Sequence, residues 1–153
     1  MRQFEIAKGY EDKEINIPQR STKGSAGYDI EAAEDILVMP FAVEGKSRLI
    51  PTGIKAQMNK GEFLGLYPRS SIGVKHLQLM PNSIGVIDQD YYSNEDNDGH
   101  IMVPFINLGK LPFKIKKGDR IAQGIFQIYL TTDNETDVDG KIRQGGLGST
   151  GLN

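Results

Sequence analysis

The feature that most constrains this chain is its punctuation. Its 18 glycines and 7 prolines are spread along the 153 residues rather than gathered in one linker, and they leave no window in which a helical stripe could persist for three turns. Between these breakers lie short apolar or alternating segments, clearest at 35–39, 48–50, 54–58, 62–67, 77–80, 86–87, 101–107, 113–115 and 121–129. Ile54, Ala56 and Met58 alternate with Lys55 and Gln57, the period of two that a half-buried strand requires. At most, residues 70–76 could form a short helix. Many short strands separated by Gly and Pro turns predict an all-β, sandwich or barrel architecture. The β domain is expected over residues 1–130. The polar, then glycine-rich tail over 131–153 has no apolar run to anchor it, and termini of that kind fray by default.

Charge and composition exclude several functions. Eighteen Lys and Arg stand against twenty Asp and Glu, a net charge of -2, so the surface has no general attraction for nucleic acid. With no cysteine, there is no disulfide, thiolate zinc site, iron–sulfur cluster or cysteine nucleophile. The two histidines, His76 and His100, cannot build a three-histidine metal site, so any metal must be held by oxygen, which favours magnesium, calcium or manganese. The first residues lack the charged-then-apolar layout of a secretory leader. The longest apolar run, 36–43, is interrupted by Pro40 and falls far short of the roughly 20 residues a membrane helix needs. The expectation is a cytoplasmic protein with no membrane partner.

Three segments could carry chemistry. In Pro68-Arg69-Ser70-Ser71 one guanidinium and two hydroxyls before a helix start suit phosphate oxygens; an ordinary helix cap uses the same residues. In Gly85-Val86-Ile87-Asp88-Gln89-Asp90-Tyr91 a strand runs into an acidic turn, where Asp88 is either a general base or a turn residue bonding its own backbone. The run from Gly145 to Gly151, with Arg143 before it, can lay backbone N–H groups along a polyphosphate or be a plain flexible tail. No Gly-x-Ser-x-Gly elbow and no P-loop ending are present.

The order of these segments is more specific than any one of them. Ala26-Gly27-Tyr28-Asp29-Ile30, Pro68-Arg69-Ser70-Ser71, Asn82 with Gly85–Asp88 and Tyr91, Gly118-Asp119-Arg120-Ile121-Ala122-Gln123 and Gly145–Gly151 together resemble the five motifs of the trimeric dUTPase family, across nearly the whole chain. The resemblance implies a β jelly roll, a homotrimer with active sites shared between subunits, and Mg²⁺-dependent hydrolysis of dUTP to dUMP and pyrophosphate. That reaction limits uracil in DNA and supplies dUMP for thymidylate synthesis. By the same resemblance Asp88 orients and deprotonates the attacking water, and Arg69, Ser70 and Ser71 bind phosphate. Asn82, with the backbone of Gly85, Val86 and Ile87, reads the uracil edge. Tyr91 packs on the deoxyribose and leaves no room for a 2′-hydroxyl. Met102 and Gln123 line the substrate, and Arg143, Leu147, Gly148, Ser149 and Thr150 form a closing arm. Asp29 faces the metal through water, with structural pairing inside the subunit as its competing role.

This sequence departs from the family pattern in three places. Leu147 stands where an aromatic usually stacks on uracil, and Arg143 lies one residue nearer the glycines than is common. The third motif runs on through Ser93–Gly99, read as an elongated hairpin tip with Gly99 in place of the family glycine. Two other readings remain. A dCTP deaminase would share the fold, but Pro104 occupies the position of its catalytic glutamate, and proline moves no proton. A nucleotide-sensing module, as in some phage-encoded relatives, would use the Ser93–Gly99 loop to dock a protein partner. Nothing in the sequence supports such a partner, and retention of Asp88 favours catalysis.

Overall fold

Short strands carry almost all the regular structure, because the glycines and prolines cut the chain before a helix can propagate. The computed structural model describes residues 1–134. Twelve strands lie within them: β1 (Gln3–Ile6), β2 (Gln19–Arg20), β3 (Tyr28–Glu31), β4 (Ile36–Val38), β5 (Arg48–Pro51), β6 (Ile54–Gln57), β7 (Glu62–Pro68), β8 (Gln78–Leu79), β9 (Gly85–Ile87), β10 (Met102–Asn107), β11 (Phe113–Ile115) and β12 (Arg120–Ile128). Helix α2 spans Ser70–His76, as its segment suggested. A further helical turn, α1 (Phe41–Glu44), was not expected. It follows Pro40 and ends at Gly45 in the left-handed region (φ 66°) with no buried residue, so no apolar periodicity announces it. A 3₁₀ turn covers Gln89–Tyr91.

All the ladders between these strands are antiparallel, in an all-β, jelly-roll-like arrangement. The largest sheet has the order β2-β3-β12-β7-β9; β5-β10-β8, β1-β6 and β4-β11 complete the set. The longest strand, β12, sits at the centre of the large sheet and pairs with β7 from Ala122 to Ile128. The core draws on most strands: Ile30, Ile50, Ile54, Leu64, Leu66, Val103, Phe105, Ile115 and Ile121 are fully buried. Phe4, Tyr28 and Phe126 pack as a tilted aromatic trio with centroids 5.3–6.0 Å apart. Pro104 is accommodated in β10 because only β5 flanks the strand there; β8 pairs further on, at Ile106 and Asn107, so no second ladder needs its missing N–H. No helix among the described residues is long and apolar enough to cross a membrane.

Candidate active site

Strands β3, β12 and β7 bring three distant segments together at one end of the large sheet. Gln123 of β12 lies opposite both Asp29 of β3 and Tyr67 of β7, and β7 ends at Pro68, so Arg69, Ser70 and Ser71 leave the sheet beside Asp29. The Arg69 Nε sits 3.4 Å from Asp29 Oδ1, and Arg120 Nη1 donates to Asp29 Oδ2 at 3.2 Å. Ser21 Oγ donates to the same oxygen at 2.6 Å. Burial alone would push the Asp29 carboxyl up, but the Ser21 hydrogen bond and the two guanidinium groups outweigh it and hold the group below the usual carboxylate range. The pairing role weighed for Asp29 is therefore visible in its geometry. An open hollow of about 500 Å³ borders this cluster and is lined in part by Arg20, Ser21, Asp29 and Arg120.

The helix-cap reading of the serines does not hold. Arg69 occupies the cap position of α2, no side chain caps the helix, and Ser70 is its first residue. The hydroxyls are thus not spent on the helix end. Gln123 Nε2 donates to the carbonyl of Pro68 at 3.4 Å, joining β12 to the start of the Arg69 segment.

Ser21 is the residue of this cluster that the sequence did not single out, and Arg120 was named only as a member of the fourth motif, with no role. Ser21 follows a two-residue strand that carries no pattern. Arg120 is aimed by a register shift between Arg120 and Ala122 in the β12–β3 ladder. A bulge of this kind re-aims a side chain, and nothing in local composition marks it. Gly118 at φ 83° permits the turn just before it, closed by the Asp119 N–H on the carbonyl of Lys116 at 3.0 Å.

The third-motif residues follow the other edge of β7, with the Gly85 end of β9 nearer Pro68 and the Asp88 end farther from it. Asn82 sits in an exposed turn, Ser83 beside it has φ 59°, and the Ile84 N–H donates to the Asn82 carbonyl at 2.6 Å. In β9, Gly85, Val86 and Ile87 lie opposite Leu66, Gly65 and Leu64 of β7. Gly85 packs against Leu66, whose Cβ would be 3.1 Å from an added side chain. Asp88 is half-buried and begins the 3₁₀ turn, its carbonyl accepting from the Tyr91 N–H at 3.1 Å. Met102, half-buried, opens β10 opposite Pro51.

Ser93–Gly99 is not a hairpin tip. β9 pairs with β7, whereas β10 pairs with β5 and β8, so the segment crosses from one sheet to another. It is also packed at part of its length: Asn94 and Gly99 are buried while Ser93, Glu95 and Asp96 are exposed, and Asp98 bonds Lys55 Nζ at 2.9 and 3.0 Å.

Within one chain the Asp88 end of β9 stands apart from the Arg69 segment, whereas Gly85, opposite Leu66, lies only two positions along β7 from Pro68. Ile87 lies opposite Leu64, four positions along β7 from Pro68; at about 3.3 Å per residue the Asp88 end is roughly 13 Å from the Arg69 end. Arg143, Leu147, Gly148, Ser149 and Thr150 lie outside the described residues.

The chain's likeness to known proteins is extensive. The family model for dUTPase matches residues 13–151. The deoxyuridine 5′-triphosphate nucleotidohydrolase of Lactococcus lactis is 46% identical over 151 residues, covering 99% of this chain and 98% of that protein. Its counterpart from Rickettsia felis is 38% identical over 141 residues, covering 90% and 89%. Among solved structures, the dUTPase from Streptococcus mutans superposes with a TM-score of 0.79 at 38% identity, over 86% of this chain and 99% of that one. The dUTPase from phage phi11 of S. aureus shares the fold at a TM-score of 0.70 and 20% identity, over 91% of this chain and 97% of that one.

Proposed function

The chain belongs to the dUTPase family, and we propose that it hydrolyses dUTP to dUMP and pyrophosphate with a water activated by Asp88. The observation that supports this most is the convergence of Asp29, Arg69–Ser71 and Gln123 on adjacent strands β3, β7 and β12, with two serine hydroxyls left over from helix capping. With Arg120 also on Asp29, two guanidinium groups stand against one carboxylate, which suits a triphosphate: the Arg69 fork binds phosphate oxygens, and a serine hydroxyl faces the α,β bridge, where negative charge grows as the bond breaks. Asp88 accepts a proton from the attacking water, the α,β-phosphoanhydride bond opens, and pyrophosphate leaves. A carboxylate is a weak base at neutral pH, so positioning of the water and neutralisation of charge supply most of the rate.

The Asn82 turn and β9 read the base. Fixed backbone donors and acceptors match uracil, whereas cytosine, reversed at one position, would leave buried polar groups unpaired. Met102 and Gln123 line the substrate, and Tyr91 is the wall against the deoxyribose. Arg143, Leu147, Gly148, Ser149 and Thr150, outside the described residues, are assigned to substrate binding by the family resemblance alone.

Mg²⁺ fits this donor set in one manner only. Among the described residues no group of three or more His, Cys, Asp or Glu could hold an ion, and Asp29 is already bonded by Ser21 and Arg120. Magnesium commonly rides on substrate phosphates with several waters kept, and Asp29 would face such a water. When bound it neutralises phosphate charge and orients the chain of phosphates. The roughly 13 Å between the Asp88 and Arg69 ends of β7 supports a homotrimer in which neighbouring subunits complete each site. Placement in the cytoplasm, where dUMP feeds thymidylate synthesis and dUTP would otherwise enter DNA, follows from this reading.

Pyrophosphate release from dUTP, dCTP, dTTP and UTP with Mg²⁺ tests the proposal, run on the wild type and Asp88→Asn. Fast release from dUTP alone is expected, falling by about 10²–10⁴ in Asp88→Asn. Binding of dUTP without release in the wild type would overturn it in favour of a nucleotide-sensing module.

A further inference from the structure

The segment after Tyr91 does more than bridge two sheets: it takes hold of Tyr91 at both ends. The Tyr91 hydroxyl donates to the carbonyl of His100 at 3.0 Å and accepts from Asn97 Nδ2 at 2.8 Å. Its backbone carbonyl accepts from Asn94 Nδ2 at 2.8 Å and from the Asn94 N–H at 3.4 Å. The two asparagines are themselves linked, Asn94 Nδ2 donating to Asn97 Oδ1 at 2.9 Å, and Asn97 Oδ1 also accepts from the Gly99 N–H at 3.1 Å. Asn94 Oδ1 accepts from the N–H groups of Asp96 and Asn97. Gly99 (φ 77°) closes against this arrangement so tightly that an added Cβ would lie 2.7 Å from the Tyr91 carbonyl oxygen.

We propose that Asn97, held by Asn94, is a positioning residue that locks the Tyr91 ring and so sets discrimination against a 2′-hydroxyl. The inference rests on the reading of Tyr91 as the deoxyribose wall. A wall that excludes one extra oxygen by space alone works only if it cannot recede, because a shift of about 1 Å would admit the group. A tyrosine ring is fixed when its hydroxyl is bonded on both sides and its backbone is clamped; with one bond gone, the ring pivots on the other. Asn97 touches neither base nor phosphate in this scheme, so its loss falls on sugar selectivity rather than on chemistry.

The experiment is kcat/KM for dUTP and UTP in the wild type, Asn97→Ala, Tyr91→Phe, the double variant and Tyr91→Ala. Asn97→Ala is expected to raise UTP relative to dUTP by roughly ten- to a hundredfold, mainly through a lower KM for UTP, with kcat for dUTP nearly unchanged. Tyr91→Phe removes that hydrogen bond together with the one to His100, so its shift should be at least as large. The double variant should go no further than Tyr91→Phe alone. If Asn97→Ala misfolds, Tyr91→Phe carries the test, and if turnover is lost the same ratio is read from the Kd values of dUMP and UMP. Relaxed selectivity in Tyr91→Ala, with none in Asn97→Ala or Tyr91→Phe, would overturn the lock and leave the wall standing. Unchanged selectivity in Tyr91→Ala would overturn the wall itself.

Discussion

His100 is a buried imidazole whose surroundings favour the neutral ring. Its Nε2 accepts a hydrogen bond from the Gly53 N–H at 3.0 Å, and its ring lies 4.6 Å from that of Tyr10. Burial first, and the Lys13 charge second, push its pKa down to about 4 from 6.5. A depressed folded-state pKa gives stability that is fully present above the unfolded value and is lost as the pH falls towards the folded one. Between pH 6.5 and 4 the unfolded chain binds a proton at this site that the folded chain refuses. His100 alone should therefore cost about 2–3 kcal/mol between pH 7 and pH 4.5. His100→Gln keeps an acceptor for Gly53 but does not titrate. Urea midpoints at the two pH values, at one protein concentration, should move less in this variant than in the wild type; equal movement would place the acid sensitivity elsewhere. Not all of the residue-scale detail was legible in advance. Asp29, Arg69, Arg120 and Gln123 all lie in the quoted motifs, but the contacts of Ser21 and Arg120 with Asp29 arise from strand pairing and a bulge, and one-dimensional spacing cannot express either.

The elements follow local composition wherever burial alternates. β6 runs with Ile54 and Ala56 buried between half-buried Lys55 and Gln57, and α2 begins and ends where its segment indicated. β1, β2 and β3 lie outside the expected segments because pairing, not pattern, makes them strands: β1 and β3 each have a single fully buried residue, and both residues of β2 are exposed. The Ser93–Gly99 segment was misread for a related reason. Its polar residues look solvated in sequence, yet some of them satisfy one another and Lys55. Burial alone would lower the Lys55 pKa, but Asp98, Tyr92 and Glu5 raise it, and the Lys55 and Asp98 side chains are only 12% and 24% exposed. Breaking one half of a largely desolvated pair strands the other charge, so Asp98→Ala and Lys55→Met should each cost about 1–3 kcal/mol. The double variant should cost less than the two singles summed. A double-mutant cycle in urea reads this coupling directly, and additive losses would show that the pair does not hold the loop.

At the scale of the whole molecule, the proposed trimer rests on one separation: the Asp88 end of β9 and the Arg69 end of β7 stand apart within a single chain. The phosphate cluster stands at the Pro68 end of β7, and Asp88 follows Ile87, opposite Leu64. The shared register of β7 and β9 in one sheet fixes that backbone spacing. Either substrate spans both regions of a single subunit, or a neighbour supplies one half. The shared-site trimer makes a prediction that a self-contained subunit does not. Arg69→Ala and Asp88→Asn should each be inactive alone. After subunits of the two variants are unfolded together and reassembled at equal ratio, a site is intact only when its phosphate half comes from the Asp88→Asn chain and its Asp88 comes from the Arg69→Ala chain. Random closed assembly gives that combination at about one site in four, so pyrophosphate release from dUTP should recover to about a quarter of the wild-type rate. Mass spectrometry of intact assemblies confirms that mixing has occurred. Mixed trimers that stay inactive would mean that Arg69 and Asp88 serve the same subunit's site and that substrate bridges the length of β7.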